Sequence, residues 1–205
     1  MAAPATLLKA VAKEAASCTL CPLYRNATQT VFGEGPVKAA LMIVGEQPGD
    51  QEDLAGHPFV GPAGKILDRA MAEAGLDRQK VYLTNAVKHF KNEPRGKKRL
   101  HKKPNRYEVE VCRVWLRQEI EVVRPQLLLA LGVTAAVALA GRSVVLSKER
   151  GKVIAFADGQ PGMVTVHPSS ILRMPEQEAR HAAFAALVAD LKAAVKAVAK
   201  QAAAA

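Results

Sequence analysis

The chain has 205 residues, enough for one domain, and its 49% apolar content can fill a sizeable core that must be mostly aliphatic, because aromatics make up only 4%. No apolar run is long enough to cross a bilayer, and a net charge of +10 favours a polyanion partner over a membrane. The segment up to Lys13 lacks a secretory apolar region with a cleavage site, and three cysteines cannot close a disulfide framework, so a cytoplasmic chain with free thiols or metal-bound cysteines is expected.

In chain order, Ala5 to Ser17 reads as a short helix leading into Cys18-Thr19-Leu20-Cys21. Ala39 to Val44 is a continuous apolar run, the pattern of a buried strand, and it ends in the turn-rich Gly45-Glu46-Gln47-Pro48-Gly49-Asp50. A helix is expected from about Lys65 to Ala74, stopped by Gly75. Val81 to Thr84 is a second strand and leads into Asn85. Lys88 to Arg106 then holds nine Lys or Arg residues and one acid, Glu93, so this loop-like stretch carries +8 of the chain's +10. Such a run is the footprint of a nucleic-acid partner or a solvated basic loop. His101 within it is the one side chain that can be neutral and nucleophilic near pH 7.

Glu108 to Val123 is an amphipathic helix broken by Arg124-Pro125. Gln126 to Leu131 is a third strand and Gly132 to Ala140 a helix. Val153 to Phe156 is a weaker strand. Met163 to Val166 is a fourth buried strand, ending in His167-Pro168-Ser169-Ser170. An alanine-rich helix runs from Glu176 to about Lys200, and a frayed tail is expected beyond, within about residues 196–205. Strands alternating with helices predict one α/β domain over residues 1–205, three layers deep, around a mostly parallel four-stranded sheet. The polar clusters at strand ends then fall on one edge, where such sheets bind ligands.

The residues allow several chemistries. Cys18 and Cys21 form a chelating pair, Cys112 is the only other thiol, and a four-ligand site needs one more donor, with His57 and His89 the best placed. Zinc and an iron–sulfur cluster both fit this count. The Gly45–Asp50 loop lets backbone approach a ligand. Phe59 offers a face to stack on, and Asn85 offers a planar amide to read a base edge. Taken singly, these are also what a core aromatic and a turn-closing amide look like. His167 can stabilise charge on a leaving group, and the serines after it can bond phosphate; the same residues also suit a helix N-cap.

Together, Gly45-Glu46-Gln47-Pro48-Gly49, the Phe59 loop, Asn85 after its strand, and His167-Pro168-Ser169-Ser170 with Arg173 resemble the uracil-DNA glycosylase superfamily. The Cys18–Cys21 pair resembles its iron–sulfur branch, family 4. Gln47 in its motif, the basic insertion ending in Lys98-Arg99-Leu100-His101, and His89 in Val87-Lys88-His89-Phe90 are most similar to the UdgX class. The resemblance spans about Cys18 to Leu191.

It implies a 4Fe–4S cluster on Cys18, Cys21, His89 and Cys112, in a structural role. It implies that Phe59 stacks on uracil, that Asn85 bonds its edge, and that His167 supports charge on uracil O2. Gln47 and Asp50 fall in the substrate-binding motif. Ser169, Ser170 and Arg173 belong to the loop that presses into the duplex or grips the backbone. Excision of uracil is then followed by attack of His101 on C1′, a covalent adduct with the abasic site and single turnover, with hydrolytic multiple turnover as the alternative. Glu46 is expected to orient the imidazole, the cationic loop to lower its pKa, and the surrounding lysines and arginines to order that loop only on DNA. The partners implied are uracil-containing DNA, single-stranded by preference, and free uracil, bound by a monomer.

Overall fold

The computed structural model describes residues 2–96 and 98–203. In chain order it contains α1 (Pro4–Ala16), β1 (Leu41–Gly45), α2 (Asp50–Ala55), α3 (Pro62–Glu73), β2 (Tyr82–Asn85), β3 (Asn92–Arg95), β4 (Lys98–His101) and α4 (Arg106–Val123). These are followed by β5 (Leu127–Leu131), α5 (Val133–Ala140), α6 (Leu146–Glu149), β6 (Ile154–Ala155), β7 (Pro161–Thr165), α7 (Pro168–Leu172) and α8 (Gln177–Ala202).

Among the described residues the central sheet has the order β2-β1-β5-β7-β6, with every pairing parallel except that of β6 with β7. It therefore has five strands, not the four expected. The weak segment after Val153 does pair, but only through Ile154 and Ala155, opposite Gly162 and Pro161. Pro161 has no N–H to donate, so the edge ladder ends there.

Strands β1 and β5 are buried along their whole length, as parallel strands covered on both faces must be. Alternation divides their side chains between two cores. Met42, Val44, Leu128 and Ala130 pack with Ala15 of α1, Trp115 and Leu116 of α4, and Ala135 of α5. Leu41, Ile43, Leu127 and Leu129 pack with Leu67 of α3, Ile171 of α7, and Leu187 and Leu191 of α8. The result is the three-layer α/β/α arrangement expected. Among the described residues no helix is long and apolar enough to cross a membrane.

Two further expectations change. The last helix continues through Ala202, past the point where the tail was to fray, and Ala204 and Ala205 lie outside the described residues. The basic stretch is not a loop: β3 and β4 form an antiparallel hairpin that pairs Asn92 with His101 and Arg95 with Lys98. Its turn uses Gly96 at φ +59°, a conformation that favours glycine. Lys97, counted in the basic run, lies outside the described residues.

Candidate active site

Parallel strands place their carboxyl ends on one edge. The residues that follow β1, β2, β5 and β7 meet there around a cavity of about 640 Å³. Glu46, Gln47, Asp50, Phe59, Asn85, His101, His167, Ser169, Ser170 and Arg173, predicted from five separate stretches of sequence, all line it. A larger cavity of about 710 Å³ lies near the amino ends of β5 and β7, beside Arg113, Arg117 and Arg124, and contains none of them. An aromatic face, an amide and two imidazoles converge in the smaller cavity.

Gly45 sets the floor. A Cβ on this residue would lie 2.3 Å from Asn85 Oδ1 and 2.6 Å from Phe59 Cζ, so only glycine lets the amide and the ring approach together. Asn85 is 2% exposed, and its Oδ1 has no hydrogen-bond partner. An orphaned buried acceptor costs about 1–3 kcal/mol, which a ligand N–H would recover. Glu52 joins the two loops above the floor: its carboxylate accepts from Gly49 N at 3.1 Å and Gly61 N at 2.7 Å.

The protonation of His101 follows from its neighbours. Lys91 N–H donates to Gln47 Oε1 at 3.0 Å, which fixes the amide's orientation. Gln47 Nε2 then donates to Lys102 O and to His101 Nε2, both at 2.9 Å. His101 Nε2 is therefore an acceptor, its lone pair taken up by Gln47 at the cavity wall. Its pKa lies below the ordinary value, first because of burial and then because of Arg173, with Glu46 opposing. The lowering was expected from the cationic loop; burial and a cation on another element supply it instead. Glu46 Oε1 stands 4.0 Å from His101 Nε2, farther than a hydrogen bond, and its Oε2 is held by Thr134 Oγ1. Gln47 rather than Glu46 holds the imidazole.

His167 caps α7. Ser169 N–H donates to its Nδ1 at 3.2 Å, and Ser169 Oγ lies 2.8 Å from the same nitrogen. An Nδ1 that accepts from a backbone N–H carries no proton, so the neutral ring holds its proton on Nε2, free to donate. Burial lowers the pKa to about 4, with Arg173 and His101 adding to the effect and Glu46 opposing it. The helix-cap reading is met by this residue, and the same contact leaves Nε2–H unused by the cap. Ser170 Oγ donates to His167 O at 2.7 Å, bracing the same turn.

The hairpin that carries His101 is anchored to α2 through Arg99. Arg99 Nε donates to Asp50 Oδ1 at 2.7 Å, and its NH1 donates to Asp53 Oδ2 at 2.5 Å and Thr28 Oγ1 at 3.0 Å. The basic run also divides by role. Lys88 is fully buried, its Nζ bonded to Glu119 Oε2, Thr84 Oγ1 and Asn85 O. Lys91 pairs with Glu108 and Lys102 with Glu93. Arg95, Lys98, Lys103 and Arg106 are exposed and carry no ion pair among the described residues.

Cys18, Cys21 and Cys112 are free, buried and part of one core. Among the described residues no group of three or more His, Cys, Asp or Glu side chains is gathered closely enough to hold a metal. The donor chemistry nevertheless fits one. Trp115 Nε1–H points at Cys18 Sγ and Lys88 N–H at Cys112 Sγ, each at 3.2 Å, as donors around metal thiolates do. Thr30 spends its hydroxyl proton on Ala15 O, so His89 Nε2, 2.9 Å away, must donate to Thr30 Oγ1. That leaves His89 Nδ1 an unprotonated, buried atom without a partner. His57, the other candidate, is exposed and paired with Glu34.

The family model of the uracil DNA glycosylase superfamily matches residues 32–192. The chain is 37% identical over 175 residues to the Type-4 uracil-DNA glycosylase of Thermotoga maritima, covering 85% of this chain and 88% of that protein. It is 39% identical over 166 residues to the Type-4 uracil-DNA glycosylase of Pyrobaculum aerophilum, covering 78% and 81% respectively. With that of Archaeoglobus fulgidus it shares 34% over 173 residues, 81% of this chain and 83% of the relative.

Proposed function

The chain belongs to the uracil-DNA glycosylase superfamily, and from that premise we propose that it excises uracil from DNA and stays bonded to the abasic site through His101, as the UdgX class does. The observation that carries this reading is His101 Nε2, held as an unprotonated acceptor by Gln47 on the wall of the cavity that Asn85, Phe59 and His167 also line. Uracil enters flipped, against Phe59, with its N3–H directed to the orphaned Asn85 Oδ1. As the C1′–N1 bond breaks, its electron pair leaves with uracil, and His167 Nε2–H donates to the oxygen where the charge gathers. His101 Nε2 then forms the new bond to C1′, and its Nδ1 proton is shed to restore a neutral ring. Arg95, Lys98, Lys103 and Arg106 face the phosphates of uracil-containing DNA, single-stranded by preference, and the protein acts as a cytoplasmic monomer.

Incubation with uracil-containing single-stranded DNA should give at most one uracil per protein chain, and a protein–DNA band that survives boiling in detergent. No such band with intact protein rejects the covalent step. One contact favours the alternative, hydrolysis with multiple turnover: Gln47 already occupies the His101 lone pair and must release it before attack. Several uracils released per chain would establish that alternative.

Cys18, Cys21, Cys112 and His89 Nδ1 are the groups that would hold a 4Fe–4S cluster, which when bound staples the N-terminal segment to the strand-end loop and takes no part in bond cleavage. Purified protein should be brown and contain iron. Cys112→Ser should lose both the visible absorption and several degrees of thermal stability. A colourless wild type containing zinc overturns this assignment.

A further inference from the structure

Phe59 stands out on conformation alone. Its φ is +58°, in the left-handed region that costs a bulky L-residue about 1–3 kcal/mol, yet it is 5% exposed and its ring edge abuts Gly45 beside Asn85. Such a conformation persists only when its surroundings over-determine it. On one side α3 presses against it: a Cβ at Gly64 would lie 2.0 Å from Phe59 O. On the other side is Arg78, which follows the helix after Gly75. Its NH2 donates to Pro58 O at 3.0 Å, and its NH1 reaches Phe59 O at 3.4 Å. Asp68 Oδ1 at 2.5 Å and Glu34 Oε1 at 3.5 Å hold the guanidinium from behind. Glu34 also pairs with His57, one residue before Pro58.

We infer that Arg78 is a positioning residue for base stacking: its guanidinium clasps the carbonyls of Pro58 and Phe59 and so fixes the plane of the ring that meets the substrate base. Arg78 does not line the cavity. The planar fork matters, because it reaches two carbonyls and two carboxylates at once, which a lysine ammonium cannot do. The inference rests on the proposed excision of uracil, since it assigns the face on which that base lies.

The experiment is a double-mutant cycle on single-turnover uracil release from single-stranded DNA. It uses wild type, Arg78→Gln, Phe59→Ala and the double variant. Thermal melts and affinity for uracil-free DNA are measured alongside, and Arg78→Lys serves as the conservative control. Arg78→Gln should slow release about tenfold, with affinity for uracil-free DNA unchanged. Arg78→Lys should recover the melting temperature but not the rate. In the Phe59→Ala background the Arg78→Gln substitution should have no further effect, because the ring it positions is gone. Additive losses, unchanged release in Arg78→Gln, or full rescue by Arg78→Lys would overturn the clasp while leaving the excision reading intact. Failure of wild type to release uracil would overturn both.

Discussion

The His101→Ala protein should form no boiling-resistant complex with uracil-containing DNA and should instead release uracil and free abasic product repeatedly. His101 sits at the rim of the cavity with its side chain about half exposed, so truncation opens a wetted space beside C1′ instead of a dry void. The groups around it stay in place. Gln47 Oε1 keeps its bond to Lys91 N, and its Nε2 loses the partner at 2.9 Å and can bind water there. Glu46 Oε1, 4.0 Å from the vacated nitrogen, is within reach of that water as a base. The hairpin itself is pinned by Arg99 on Asp50 and Asp53, not by His101, so the fold of the site survives the change. Denaturing gels and product counting read the outcome. A band undiminished in His101→Ala would remove His101 as the nucleophile. Absence of any free abasic product would show that water does not take its place.

The edge of the sheet was legible in the chain because its physics is local. Buried parallel strands read as unbroken apolar runs, and the run from Leu41 to Val44 is one. Once four such strands are parallel, the polar residues after each must share an edge. That is why the clusters after β1, β2 and β7 could be placed on one edge from pattern alone, whereas Phe59, His101 and Arg173 were assigned to it through the family resemblance. What could not be read depends on pairs far apart in sequence. The hairpin of β3 and β4 has no alternating apolar pattern and contains Pro94; its anchor is Arg99 reaching back to α2. Lys88 was counted with the phosphate-binding charge, yet it is buried against Glu119. A signal for that pair did exist. Lys88 stands between Val87 and Phe90, and Glu119 falls on the buried stripe of α4 with Cys112, Trp115 and Val123. A charge on each of two apolar faces suggests mutual neutralisation. Arg78 left no such trace, because two of its four partners are backbone carbonyls and the carboxylates, Asp68 and Glu34, sit on two different segments.

His167→Ala should slow uracil release by about 10²–10³-fold, the loss typical of removing one donor from a site where negative charge develops. The direction of the effect follows from the ring's tautomer. Ser169 N–H holds Nδ1 as an acceptor, so Nε2–H is fixed as a donor before uracil arrives and needs no reorientation as the bond breaks. Ser169→Ala should cost less, because it removes the hydroxyl contact and leaves the backbone N–H in place. The same arrangement makes stability depend on pH. The folded pKa of about 4 lies below the ordinary 6.5, so over that interval the unfolded chain binds a proton that the native state refuses. The contribution of the neutral ring is therefore complete above about pH 6.5 and is lost as pH falls towards 4, up to roughly 3 kcal/mol. Denaturant unfolding at pH 7 and pH 4.5 tests this in wild type and His167→Ala. The wild type should lose more stability between the two conditions, and the difference should be absent from the variant. Equal losses in both proteins would show that the fold does not lower the His167 pKa.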